Sequence, residues 1–161
     1  MSGEAIWSFA LGVYGAPGVP EMGIALQDEA GADVDILLWC AWAGTQGVAL
    51  GAEAIAAAVA ATRPWRDGVV RPLRGVRRTM KDMAVAAPPA DVAALRAGVK
   101  AAELEAERLE LAMLARLLPA DRPPAPARDA VAANLADYLA TLGIADPDRT
   151  GPLLSAALRA V

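Results

Sequence analysis

Tyr14, Gln27, Asp28, Trp42 and Arg74 are the side chains of this sequence that could line a small-ligand pocket or form a buried hydrogen-bonded network. A helical protein that spends polar groups inside its core either pairs them with each other or uses them. The internal pairing expected here is Asp28 with Arg74. A second group, Asp28, Glu29, Asp33 and Asp35, could gather around a divalent cation, but the spacing and terminal Glu of a helix-loop-helix calcium loop are missing. Helix capping accounts for Asp33 directly, so no metal site is expected. Cys40 could be a reactive thiol, yet Trp39, Ala41 and Trp42 surround it, and the expectation is an inert core residue. Gly44, Gly47 and Gly51 lack the Lys and the preceding strand of a phosphate loop, which makes them turn residues.

Histidine is absent from all 161 residues. That absence removes the Ser-His-Asp triad, the Cys-His pair, the imidazole metal ligand and the histidine proton shuttle. The single Cys excludes an intramolecular disulfide and a cysteine zinc site. No cofactor motif or acid/base pair stands out, so no catalytic residue and no cofactor is assigned, and an enzyme is not the favoured reading.

The strongest functional signal is charge. Residues 1–62 carry seven acids and no Lys or Arg, whereas Arg63, Arg66, Arg71, Arg74, Arg77, Arg78 and Lys81 crowd into the next stretch. On a helix these seven bases fall within an arc of about 140°, with Trp65, Val69, Leu73, Val76, Met80 and Met83 on the other face and Val70 intruding among the bases. Such a face could contact an acidic protein or a polyanion. Nucleic acid is the weaker of these partners, because the overall charge is −4 and no aromatics interleave the bases. The competing reading is that the acidic first 62 residues neutralise the arc within the fold.

The elements that position these groups are all helices, since no stretch alternates like a strand. Val34 to Ala43 is apolar on nearly every face and far below the roughly 20 residues of a membrane span, so it forms the buried centre. Around it the sequence predicts a compact multi-helix bundle, all-α. A first helix runs over about 4–15, N-capped by Ser2, with Trp7, Leu11 and Tyr14 as its buried stripe. A second starts at Pro20 and is capped by Gly31; Asp33 caps the central one; an Ala-rich helix covers 52–62. The basic helix follows, kinked at Pro72, because the carbonyl that Pro72 opposes belongs to Gly68. The longest helix spans 91–118, with a packing seam through Val92, Leu95, Val99, Ala102, Ala106, Leu109 and Met113 and a second stripe of Leu104, Leu111 and Leu118. Two weaker helices cover about 128–142 and 150–160. Four Pro in 119–127 mark a linker between a core over 1–118 and an extension over 128–161 that packs on the core or is partly mobile.

Trp7-x-Phe9-x-Leu11-x-x-Tyr14, Pro17-Gly18-Val19, Leu26-Gln27-Asp28, Leu37-Leu38-x-Cys40-x-Trp42 and Val69-Val70-Arg71-Pro72-Leu73-Arg74 resemble a proteobacterial family of small helical proteins of unknown function. The likeness runs from residue 4 to about 110 and includes Lys100 and Glu103-Leu104-Glu105-Ala106-Glu107. It implies a bacterial protein whose C-terminal third varies, and it supplies no catalytic residues. The acidic N-terminal segment, which lacks the basic region of a signal peptide, adds the expectation of a cytoplasmic location. The favoured function is a non-enzymatic interaction module using the basic helix; the alternative is a ligand pocket or cryptic enzyme at Tyr14, Gln27, Asp28, Trp42 and Arg74.

Overall fold

The computed structural model describes residues 3–160. Its helices are α1 (Gly3–Tyr14), α2 (Val19–Ala30), α3 (Val34–Thr45), α4 (Gly51–Trp65), α5 (Arg71–Asp82), α6 (Pro89–Arg116), α7 (Ala127–Thr141) and α8 (Gly151–Arg159). A π-turn over Arg66–Val70 joins α4 to α5, and a short 3-10 turn over Pro147–Thr150 precedes α8. The chain is thus an all-α bundle with one long helix in its second half, as expected. The proposed cap Ser2 lies outside the described residues.

α3 is the centre because it has no polar face to offer water. Asp33 adopts extended backbone angles and its Oδ1 accepts the Asp35 N–H at 2.9 Å, which starts the helix. From Asp35 to Gly44 every residue is buried. α1, α6, α7 and α8 all pack on it. The closest approach is at Gly44, where a Cβ would stand 2.4 Å from the Val131 backbone nitrogen, so α3 and α7 meet backbone to backbone. Gly31 ends α2 at φ 68, and its N–H and that of Ala32 close on the Gln27 and Leu26 carbonyls.

Asn134 on α7 fastens the return from α3 to α4. It is fully buried, accepts the Leu50 N–H at 2.7 Å, and donates to the Val48 carbonyl at 2.9 Å and the Cys40 carbonyl at 3.1 Å. The Pro-rich stretch before α7 is stitched to the same return, through Ala125 N–H to Gly47 O and Arg122 Nη1 to Ala49 O. Residues of α7 and α8 share the hydrophobic core built on α3.

Three packing expectations are corrected. In α1 the buried line is Ile6, Ala10 and Val13, not Trp7, Leu11 and Tyr14; Leu11 is 56% exposed. In α6 the inward line includes Glu103, Ala106, Glu110 and Leu114, while Leu95, Leu104 and Leu109 of the two expected stripes are exposed. In the basic helix the intruder Val70 is buried together with Arg66, and Val76 and Met83 of the supposed core face are exposed. In α1 and α6 part of the reason is that Trp7, Leu11, Tyr14 and Leu104 line a cleft instead of the core. The helix does continue past Pro72 without a break. The wide turn at Arg66–Val70 lies over the residues where Pro72 has no N–H to return to Gly68.

Candidate functional site

Arg66 and Arg74 come from a helix surface that turns toward α6, and α6 answers with carboxylates at i, i+4 and i+7: Glu103, Glu107 and Glu110. Arg74 donates from Nε to Glu103 at 3.1 Å, from Nη2 to Glu107 at 2.6 Å and from Nη1 to the Gln27 side-chain oxygen at 2.6 Å. Arg77 holds both oxygens of Glu103. Arg66 donates to Asp33 at 2.9 Å and lies 3.9 Å from Glu110. These are charge-assisted, partly bidentate contacts in a shielded seam, which is where ion pairs matter most.

The seam sorts its acids by their surroundings. Burial works to raise the Glu103 carboxyl, but hydrogen bonds from Arg77 and Arg74 overcome it and hold the group below the usual carboxylate range. Glu107 is pushed up by burial, with Arg74 only partly compensating. Burial and the nearby Asp33 charge push Glu110 to about 8. Asp35, largely buried beside Asp33, Glu107 and Glu110, is raised well above the usual carboxylate range, first by burial. Burial followed by Glu107 also lifts the Tyr14 hydroxyl.

A cavity of about 700 Å³ opens between α1, α2, α5 and α6, with the start of α3 beneath it. Its apolar wall contains Trp7, Leu11, Ile24, Leu104 and Leu111. The bases Arg77, Arg78, Lys81, Arg96 and Lys100 line it from α5 and α6, and Tyr14, Gln27, Asp35, Arg74, Glu103 and Glu107 supply further polar atoms. Among the described residues, Lys81, Arg96 and Lys100 take part in no ion pair. Arg96 does donate from Nε to the Arg77 carbonyl at 3.3 Å.

Tyr14, Gln27 and Arg74 meet at the cavity. Asp28 is exposed 3.6 Å from Arg78, so the partner of Arg74 on α2 is Gln27 and not Asp28. Trp42 is buried in the core. Of the seven bases, Arg66 is buried, Arg74 and Arg77 are half-buried, Arg63 is exposed, and Arg71 is exposed beside Asp67 at 2.9 Å. Arg78 and Lys81 are exposed along the cavity. Glu29 pairs with Arg149 at 2.7 Å, well away from the acid cluster it was grouped with. Cys40 is a buried free thiol, and burial raises its pKa. From sequence, Lys100, Glu103 and Glu107 stand only within the family-like stretch, and neither they nor Arg96 and Glu110 carry a site role. The i, i+4, i+7 spacing of the three Glu was the available signal.

Residues 5–114 match the family described as Protein of unknown function (DUF2390). No curated protein and no solved structure matches the chain. The matched span covers α1 to α5 and nearly all of α6, and therefore every residue of the cavity and of the Arg–Glu seam.

Proposed function

We propose that this chain, which belongs to the DUF2390 family of proteins of unknown function, binds a small anionic molecule with an apolar body in the α1–α2–α5–α6 cavity. The observation that carries the reading is the pairing of unneutralised bases with exposed apolar side chains around one open cleft. Leu11 and Leu104 are 56% and 45% exposed yet face the same cavity as Lys81, Arg96 and Lys100. A volume of about 700 Å³ suits a ligand of metabolite or short acyl-chain size, since small-molecule sites run to roughly 300–1,000 Å³.

The same placement favours this reading over an external contact face. Arg66, Arg74 and Arg77 are committed to Asp33, Glu103 and Glu107, and Arg71 to Asp67, which leaves few of the seven bases for an outside polyanion. Among the described residues no helix is long and apolar enough to cross a membrane.

Thermal shift and calorimetry with medium-chain carboxylates, sulfates and phosphates test the proposal. The expected result is one molecule bound per chain, weakened about tenfold or more by Lys81→Glu with Lys100→Glu at unchanged fold stability, and blocked by Leu104→Arg. Absence of binding, or binding indifferent to all three substitutions, overturns it.

A further inference from the structure

We propose that the carboxylates of Asp33, Asp35 and Glu110 form a site for one divalent cation of the oxygen-preferring class, such as magnesium, manganese or calcium. One oxygen from each residue lies within 4.8 Å of the others. Oxygens that share an ion at about 2.0–2.6 Å fall inside that separation. Two of the ligands come from the start of α3 and the third from the middle of α6, so the fold closes the site across its own centre.

Glu110 is the observation that points to a ligand. Its exposure is 0%, and neither carboxylate oxygen makes a hydrogen bond of regular geometry, although Asp33 and Thr62 stand beside it. A buried, undonated carboxylate is among the most costly groups a protein can keep. The nearest guanidinium, Arg66, stands 3.9 Å from it and directs the same nitrogen to Asp33 at 2.9 Å. A divalent ion that binds here displaces the protons held by these buried carboxyls, and its two charges together with that of Arg66 balance three carboxylates. Asp35 also lines the cavity, which gives an ion a path from solvent. The grouping considered from sequence included Asp28 and Glu29, but both are exposed and paired with Arg78 and Arg149. The fold replaces them with Glu110. This site does not depend on what the cavity binds.

The test uses the full chain, stripped with a chelator and titrated with manganese alone. Electron paramagnetic resonance should show uptake of one ion per chain, and the amide resonances of Asp33, Asp35 and Glu110 should broaden first. Glu110→Gln and Asp35→Asn, which keep the side-chain shape, should each weaken uptake by about tenfold or more, with the helical circular dichroism retained. Should either variant fail to fold, the broadening map of the unaltered chain decides alone. No uptake at millimolar manganese, or broadening centred on Asp28 and Glu29, overturns the proposal.

Discussion

The Tyr138 hydroxyl accepts the backbone N–H of Asp33 at 2.8 Å, a bond between α7 and the residue that caps α3. It satisfies a buried donor beside the acid cluster and ties the C-terminal part of the chain to the central helix. Tyr138→Phe keeps the ring and strands the N–H. Urea denaturation should therefore show a loss of about 1–3 kcal/mol. A variant as stable as the parent would mean that the N–H finds another acceptor.

At Gly44 the two central helices leave no room for a side chain. A Cβ there would meet the Val131 nitrogen at 2.4 Å and its Cα at 2.5 Å, backbone atoms that cannot swing aside. Gly44→Ala should cost at least the upper end of the about 1–3 kcal/mol typical of overpacking, in spite of the better helix propensity of Ala. Comparison with Gly12→Ala, where nothing lies within 4 Å, separates packing from propensity.

Two arginines only a few residues apart should behave in opposite ways. Arg66 is buried against Asp33 and Glu110, so Arg66→Ala leaves two enclosed acids without their cation and should cost about 3–5 kcal/mol. Arg71 pairs with Asp67 in solvent, and Arg71→Ala should change stability by no more than about 1 kcal/mol. Equal effects in denaturant titrations would contradict the inward orientation of this helix surface.

Stability should also respond to the protonation of Glu110. Its pKa is raised from 4.5 to about 8 in the fold by burial, Asp33 and the neighbouring groups, against the pull of Arg66. The folded chain thus retains a proton that the unfolded chain releases above about pH 4.5. The stabilisation is complete below that value and is lost as pH climbs through about 8. Asp35, also raised, acts in the same direction, whereas the lowered Glu103 adds stability that disappears only as pH falls into the acid range. In chelator, melting temperatures of the parent should fall between pH 5 and 9. Glu110→Gln should flatten that slope; an identical slope in the two proteins would contradict the assignment.

The sequence announced its helices more clearly than their orientation. Val34–Ala43 declared itself central because no face of it is polar, and Asp33 and Gly31 declared the boundaries through capping chemistry. Orientation was harder, since Trp7, Leu11, Leu104 and the bases of α5 surround a cleft, and a cleft wall carries the apolar stripe that periodicity assigns to a core. Tyr14, Gln27 and Arg74 were found because they are polar groups within apolar stretches. Glu110 was missed for the reverse reason: in a helix rich in Glu, Arg and Ala, nothing local distinguishes a carboxylate facing the centre from one facing water. Only the partner surface, Asp33 and Arg66, makes the distinction.

The π-turn at Arg66–Val70 gives the helical run from Gly51 to Asp82 the equivalent of one surplus residue. Surplus and remainder rotate against each other by about 100°, the angular share of a single α-helical position. Removing one residue, Gly68 for example, would return the run to plain α-helical winding and turn everything after it like a dial. Arg74 and Arg77 would swing away from Glu103 and Glu107 while Arg66 stayed on Asp33. A single codon deletion would therefore dismantle the cavity wall while sparing the acid cluster, and the two proposed sites could be inherited, or lost, one without the other.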